Sequence, residues 1–179
     1  FAGNSCDMKS LNLLSKKYKF KVVEDACHAF GGYYENKKIG SCKYSDISTF
    51  SFHAIKNIAA GEGGAITTNK INIKRKIDLL RSHGIVRSKD KIGWNYDQKH
   101  LGFNFRLTDF QSSLANNQIR RIKKSLKFKK NIAMIYFKYL NKKKIILPKI
   151  NNKSGLHLFV IRIKNFSIKK KKKLTELLK

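Results

Sequence analysis

Apolar positions in the first half of the chain switch between two periods. Met8, Leu11, Leu14 and Tyr18 fall at helical spacing, with Asp7 where a cap belongs, so a helix is predicted there. Residues 20–24 then read as a strand that ends at Asp25. Tyr33-Tyr34 and Lys38-Ile39 flank Glu35-Asn36-Lys37, a hairpin pattern. Residues 47–52 and 65–68 give two more buried strands, the second set off by Gly61, Gly63 and Gly64. Asn69 is the predicted cap of a helix carrying Ile73, Ile77 and Leu80 and stopped by Gly84. Strands alternating with helices in this way predict an α/β fold.

Residues 85–101 are polar and loop-like and hold the only tryptophan, Trp94. Thr108-Asp109-Phe110-Gln111 is a capping-box pattern, opening a helix through Leu114, Gln118 and Ile122. A separate helix is predicted over 126–140, from Ile132, Ile135, Tyr136 and Tyr139. A short strand at 145–147 precedes Pro148, residues 156–163 read as a longer strand, and a last helix starts near Ser167. The pattern divides the chain into an α/β part at 1–119, connecting helices at 120–140 and a second, cut-short domain at 141–179.

Composition narrows the classes. With 179 residues, 41% of them hydrophobic, the chain can bury one sizeable core, which excludes a short disordered or disulfide-stapled peptide. One proline and eleven glycines exclude collagenous or Pro-rich architectures. No apolar run approaches the ~18 residues of a membrane span, and Phe1-Ala2-Gly3-Asn4 has no signal-peptide character. A protein without membrane contact is expected, and, since the chain does not open with Met, a fragment. Cys6, Cys27 and Cys42 are odd in number and form no CxxC pair. That argues against a disulfide framework or zinc ribbon and for a reducing cytoplasm.

The net charge of +29 changes the picture less than it promises. No acidic residue lies between Asp109 and Glu176, while Arg120, Arg121, Lys123, Lys124, Lys127, Lys129 and Lys130 crowd one stretch. Such a stripe can neutralise phosphates, so a basic nucleic-acid-binding module stays an alternative. No nucleic-acid motif accompanies the charge, and Lys, Ile and Asn are abundant everywhere, so compositional drift is the preferred reading.

Candidate chemistry sits at two strand ends. Asp25 lies just past the carboxyl end of one predicted strand, where α/β sheets place ligand-binding groups. Lys56 follows another, in Ser51-Phe52-His53-Ala54-Ile55-Lys56, ahead of a Gly-rich turn. A lysine amine in a partly dry site gives up its proton and condenses with a carbonyl. A carboxylate beside a pyridine nitrogen keeps that nitrogen protonated, which makes a pyridoxal ring an electron sink. Either residue alone is common in a chain this rich in lysine. A zinc site from Cys27, His28 and His53 lacks metal-like spacing, so no metal is expected.

Their order and context are more specific. Glu24-Asp25-Ala26-Cys27-His28-Ala29-Phe30-Gly31-Gly32, Ile39-Gly40-Ser41, Ser51-Phe52-His53-Ala54-Ile55-Lys56-Asn57-Ile58 and Gly61-Glu62-Gly63-Gly64-Ala65-Ile66-Thr67-Thr68 follow one another. The series strongly resembles the DegT/DnrJ/EryC1/StrS sugar-nucleotide aminotransferase family. Arg81-Ser82-His83-Gly84-Ile85 and Leu101-Gly102-Phe103-Asn104-Phe105-Arg106-Leu107-Thr108-Asp109 continue the likeness, which covers nearly the whole chain.

The resemblance implies a fold-type-I, pyridoxal-phosphate-dependent transferase. Residues 1–119 would be part of its large domain, a mainly parallel sheet with helices, and 141–179 the start of its small C-terminal α/β domain. Lys56 would carry the cofactor as an imine and move the proton between substrate and cofactor. Asp25 would pair with the pyridinium nitrogen, His28 would stand beside the ring near its phenolic oxygen, and Ser51 would hold the phosphate. Asn104 would reach the phosphate of a neighbouring subunit, making a homodimer with shared sites. The 25–29 and 40–46 stretches look most like the branch that aminates C4 of a UDP-4-keto-6-deoxy-N-acetylhexosamine, with glutamate as donor, in pseudaminic-acid and polysaccharide biosynthesis. The 53–58 stretch also resembles the UDP-4-amino-4-deoxy-arabinose branch. The family's Gly-Thr phosphate turn and ring-stacking aromatic have no match here, so an inactive fragment is a further alternative.

Overall fold

The computed structural model describes residues 1–87 and 96–177. It opens with helix α1, Met8–Tyr18, which Asp7 caps by accepting from the Ser10 N–H at 3.2 Å. Lys19, in the left-handed region at φ 56°, ends it. Strand β1, Val23–Asp25, follows, then the hairpin of β2, Tyr33–Tyr34, and β3, Lys37–Lys38. Strands β4, Ile47–Ser51, and β5, Gly64–Thr67, join β1 in a three-stranded sheet of order β1-β4-β5.

That sheet is mixed. β1 and β4 run parallel, Asp25 standing opposite Thr49, whereas β4 and β5 run antiparallel, Ser51 opposite Gly64. The expected mainly parallel sheet is therefore not what the described residues form. The reason lies in the twelve residues 52–63 between β4 and β5. They form no helix, and a parallel return needs a crossover of at least about that length, usually helical. This irregular connection carries Lys56.

The second half departs further from the sequence reading. Helix α2, Ile71–Arg81, begins after Lys70, with no side chain capping it. Asn69 donates instead to the carbonyls of Ser41 at 2.9 Å and Cys42 at 3.3 Å, so it fastens a loop and does not act as the cap. Strands β6, Ile85–Arg87, and β7, Tyr96–Gln98, pair where a loop was expected; Trp94 lies outside the described residues. The Thr108 capping box is present, with Thr108 Oγ1 accepting from the Gln111 N–H at 3.2 Å. It opens α3, Asp109–Tyr139, one helix of 31 residues in place of two. Neither glycine nor proline interrupts 109–139, so nothing stops the helix once nucleated. Strands β8, Ile145–Ile146, and β9, Arg162–Ile163, pair antiparallel, and α4, Ile168–Leu177, follows.

Most of the predicted 156–163 strand is irregular. Its backbone bonds elsewhere: the Gly155 N–H donates to Gly3 O at 2.8 Å and the His157 N–H to Ala2 O at 3.1 Å. Gly155 permits the approach, because a Cβ there would stand 2.8 Å from the Ala29 backbone. The core lies between the sheet and α3. Phe50, Phe52, Ile58, Ala26, Ala29 and Ala115 are buried in it, and the Phe30 ring meets Phe50 edge-on at 5.1 Å. Among the described residues no helix is long and apolar enough to cross a membrane.

Candidate active site

Parallel pairing of β1 and β4 puts their carboxyl ends at the same edge of the sheet, with Asp25 closing β1 and Ser51 closing β4. The Asp25 carboxylate accepts from the Cys27 N–H at 3.0 Å. A hydrogen bond from the Cys27 thiol, then that N–H, hold its pKa below the usual value, with His28 and Lys56 acting in the same direction. It is a carboxylate kept ionised. Burial first, then the bond to Asp25, push the Cys27 thiol up, so Cys27 is packing and donor, not nucleophile.

Lys56 is half-buried on the turn after β4. Its charge reaches Asp25, Cys27, His28 and His157. His28 Nδ1 accepts from the Ala2 N–H at 3.3 Å, which requires that nitrogen to be unprotonated. Burial, followed by the charge of Lys56, lowers its pKa and favours the same neutral ring. The imidazole stands between the Phe1 ring at 5.7 Å and the His157 ring at 4.4 Å. Burial lowers the His157 pKa to about 4, helped by repulsion from His28 once that ring is protonated and by the charges of Lys56 and Lys129. Its Nδ1 is buried without a hydrogen-bond partner.

The structure thus brings together Asp25, His28 and Lys56 of the residues singled out in the sequence. Ser51 Oγ, at the same sheet edge, accepts from the His53 N–H at 3.3 Å, and His53 Nε2 lies 3.7 Å from Glu62. Asn104 is exposed and pairs by its backbone with Ser82, and no described hydrogen bond or ion pair links it to Asp25 or Lys56. Phe103 and Phe105, exposed and stacked at 4.8 Å, flank it. His157 was missed in the sequence. The signal was there, a lone polar residue inside the apolar run 156–161.

An amine, an ionised carboxylate, a neutral imidazole and a hydroxyl at one strand-end edge form a donor set that fits pyridoxal phosphate. The amine suits its aldehyde, the carboxylate its ring nitrogen, and the imidazole or hydroxyl its oxygens. The unpartnered His157 Nδ1 leaves polar capacity unused at the same place.

The model of the DegT/DnrJ/EryC1/StrS aminotransferase family matches residues 1–179. The UDP-4-amino-4,6-dideoxy-N-acetyl-beta-L-altrosamine transaminase of Campylobacter jejuni is 40% identical over 164 residues, 90% of this chain and 42% of its own. The Helicobacter pylori enzyme of the same name is 34% identical over 95% of this chain and 45% of its own. The solved Helicobacter pylori PseC, an aminotransferase of pseudaminic acid biosynthesis, superposes with a TM-score of 0.91 at 34% identity. That match covers 99% of this chain and 47% of PseC. The chain spans less than half the length of these relatives.

Proposed function

The chain belongs to the DegT/DnrJ/EryC1/StrS aminotransferase family, a family that uses pyridoxal phosphate, and we propose that Lys56 is its cofactor-bearing lysine. On this reading the whole protein adds an amino group to C4 of a UDP-4-keto-6-deoxy-hexosamine, with glutamate as donor. The observation that carries the proposal is the convergence of Lys56 with an ionised Asp25 and a neutral His28 at one sheet edge. Bound pyridoxal phosphate supplies the sink for the electron pair left when a proton leaves the substrate carbon. Lys56 Nζ would hold the cofactor and would take up and return that proton. Asp25 would keep the ring nitrogen protonated, which its lowered pKa allows across the neutral range. His28 would donate from Nε2 to a cofactor oxygen, since Nδ1 is occupied as an acceptor.

Ser51 Oγ is the proposed phosphate donor within the chain, and Asn104 the one offered to a second copy. Phe103 and Phe105, exposed and stacked on either side of Asn104 in sequence, offer apolar surface to that second copy. The substrate proposal rests on the altrosamine transaminases at 34–40% identity.

The test offers the protein, loaded with pyridoxal phosphate, a UDP-4-keto-6-deoxy-N-acetylhexosamine or a UDP-4-keto-pentose, each with glutamate. Mass spectrometry of the nucleotide sugar should show amination of the hexosamine that Lys56→Ala abolishes. Preference for the pentose would move the substrate to the amino-arabinose branch. Amination surviving in Lys56→Ala would overturn the role of Lys56.

A further inference from the structure

Three polar side chains of α3 grip the connection that carries Lys56. Gln111 Nε2 donates to the Glu62 carbonyl at 3.1 Å. Gln118 holds Ala59 twice, Oε1 accepting from its N–H at 3.0 Å and Nε2 donating to its carbonyl at 2.7 Å. Lys129 Nζ donates to Asn57 Oδ1 at 2.6 Å. Residues 118 and 129 follow residue 111 by 7 and 18 positions. At ~3.6 residues per turn those intervals return to one helix face, which only an unbroken α3 can supply.

Lys129 differs from the two glutamines in carrying charge. It is half-buried where Lys127, Phe128 and Lys130 are exposed, and α3 holds no acidic residue after Asp109. Withdrawing an ammonium from water without a carboxylate is costly, so the bond it makes there has to matter. Asn57 shows how. It is buried, and its Nδ2 donates to the carbonyls of Phe30 and Gly155. One side chain next to Lys56 thus joins the segments bearing His28 and His157, and Lys129 saturates its remaining oxygen.

We propose that Lys129 is a positioning residue for Lys56, fixing Asn57 and through it the turn from which the Lys56 charge reaches Asp25 and His28. The consequence for catalysis rests on the reading of Lys56 given above; the positioning itself does not.

The test uses the full chain without cofactor. Lys129→Met keeps the aliphatic stem and removes the donor, and Lys129→Arg keeps a donor. Amide exchange over 55–58 and competitive acetylation of Lys56, both read by mass spectrometry, report the turn. Lys129→Met should speed exchange there about tenfold and change Lys56 acetylation, leaving β4 and β5 unchanged, with Lys129→Arg restoring both. Wild-type behaviour in Lys129→Met, or equal disturbance by Met and Arg, would overturn the proposal. Should Lys129→Met fail to fold, Lys129→Gln, whose amide stops one bond short, carries the same comparison. Cofactor attachment at another lysine would sink the functional reading yet leave this result standing.

Discussion

Acid should loosen the candidate site through His157. Burial, with repulsion from His28 once that ring is protonated and from the charges of Lys56 and Lys129, holds the His157 pKa at about 4 where the free ring has 6.5. Between those values the unfolded chain binds more protons than the folded one. Stability therefore rises with pH across that window and is lost as pH falls from 6.5 toward 4. A group sealed from solvent would lose about 3 kcal/mol, at ~1.4 kcal/mol per pH unit. The ring is only partly covered, so a loss on the order of 1–2 kcal/mol is expected. His28, lowered chiefly by burial, adds in the same direction. The carboxylates Asp7, Asp25, Asp46 and Asp78 all have pKa values below 3.8 and withdraw their support only under the window. Urea unfolding at several pH values between 7 and 4.5 measures the slope, which His157→Gln should flatten. A variant slope equal to the wild type, or an NMR titration of the His157 ring near 6.5, would refute the reasoning.

Other substitutions probe the frame around the site. Gln118→Ala leaves both backbone groups of Ala59 without their partner and should cost about 1–3 kcal/mol in urea unfolding. Gly155→Ala puts a Cβ 2.8 Å from the Ala29 backbone and should cost about 1–3 kcal/mol, lowering the melting temperature. Phe50→Ala empties a site 7% exposed against Phe30 and should cost about 3–5 kcal/mol by the same melt.

Local chemistry was legible in the sequence where neighbours along the chain decide it. Asp7 and Thr108 cap the helices their spacing announced, and Asp25 and Ser51 close strands within a residue or two of expectation. Tertiary choices were hidden. The helix through Ile122 and the one over 126–140 were read as separate, yet Lys123, Lys124 and Ser125 between them are good enough helix formers to carry α3 across. The apolar run at 156–161 read as strand, but its donors are taken by Ala2 and Gly3 from the other end of the chain. The grip of Lys129 on Asn57 joins residues 72 positions apart, and no short-range pattern could have announced it. Lys56 and Asp25 were singled out by order and context, while the closeness of His28 to His157 came only from the fold.

Reductive trapping tests the central claim most directly. The chain, mixed with substoichiometric pyridoxal phosphate and treated with borohydride, is digested and the pyridoxyl group located by mass spectrometry. Lysines occur throughout the chain, so indiscriminate reaction would scatter the label. The account predicts the label on Lys56 alone, falling when Asp25 is replaced by alanine. A label spread over surface lysines, or concentrated on a lysine other than Lys56, would contradict it.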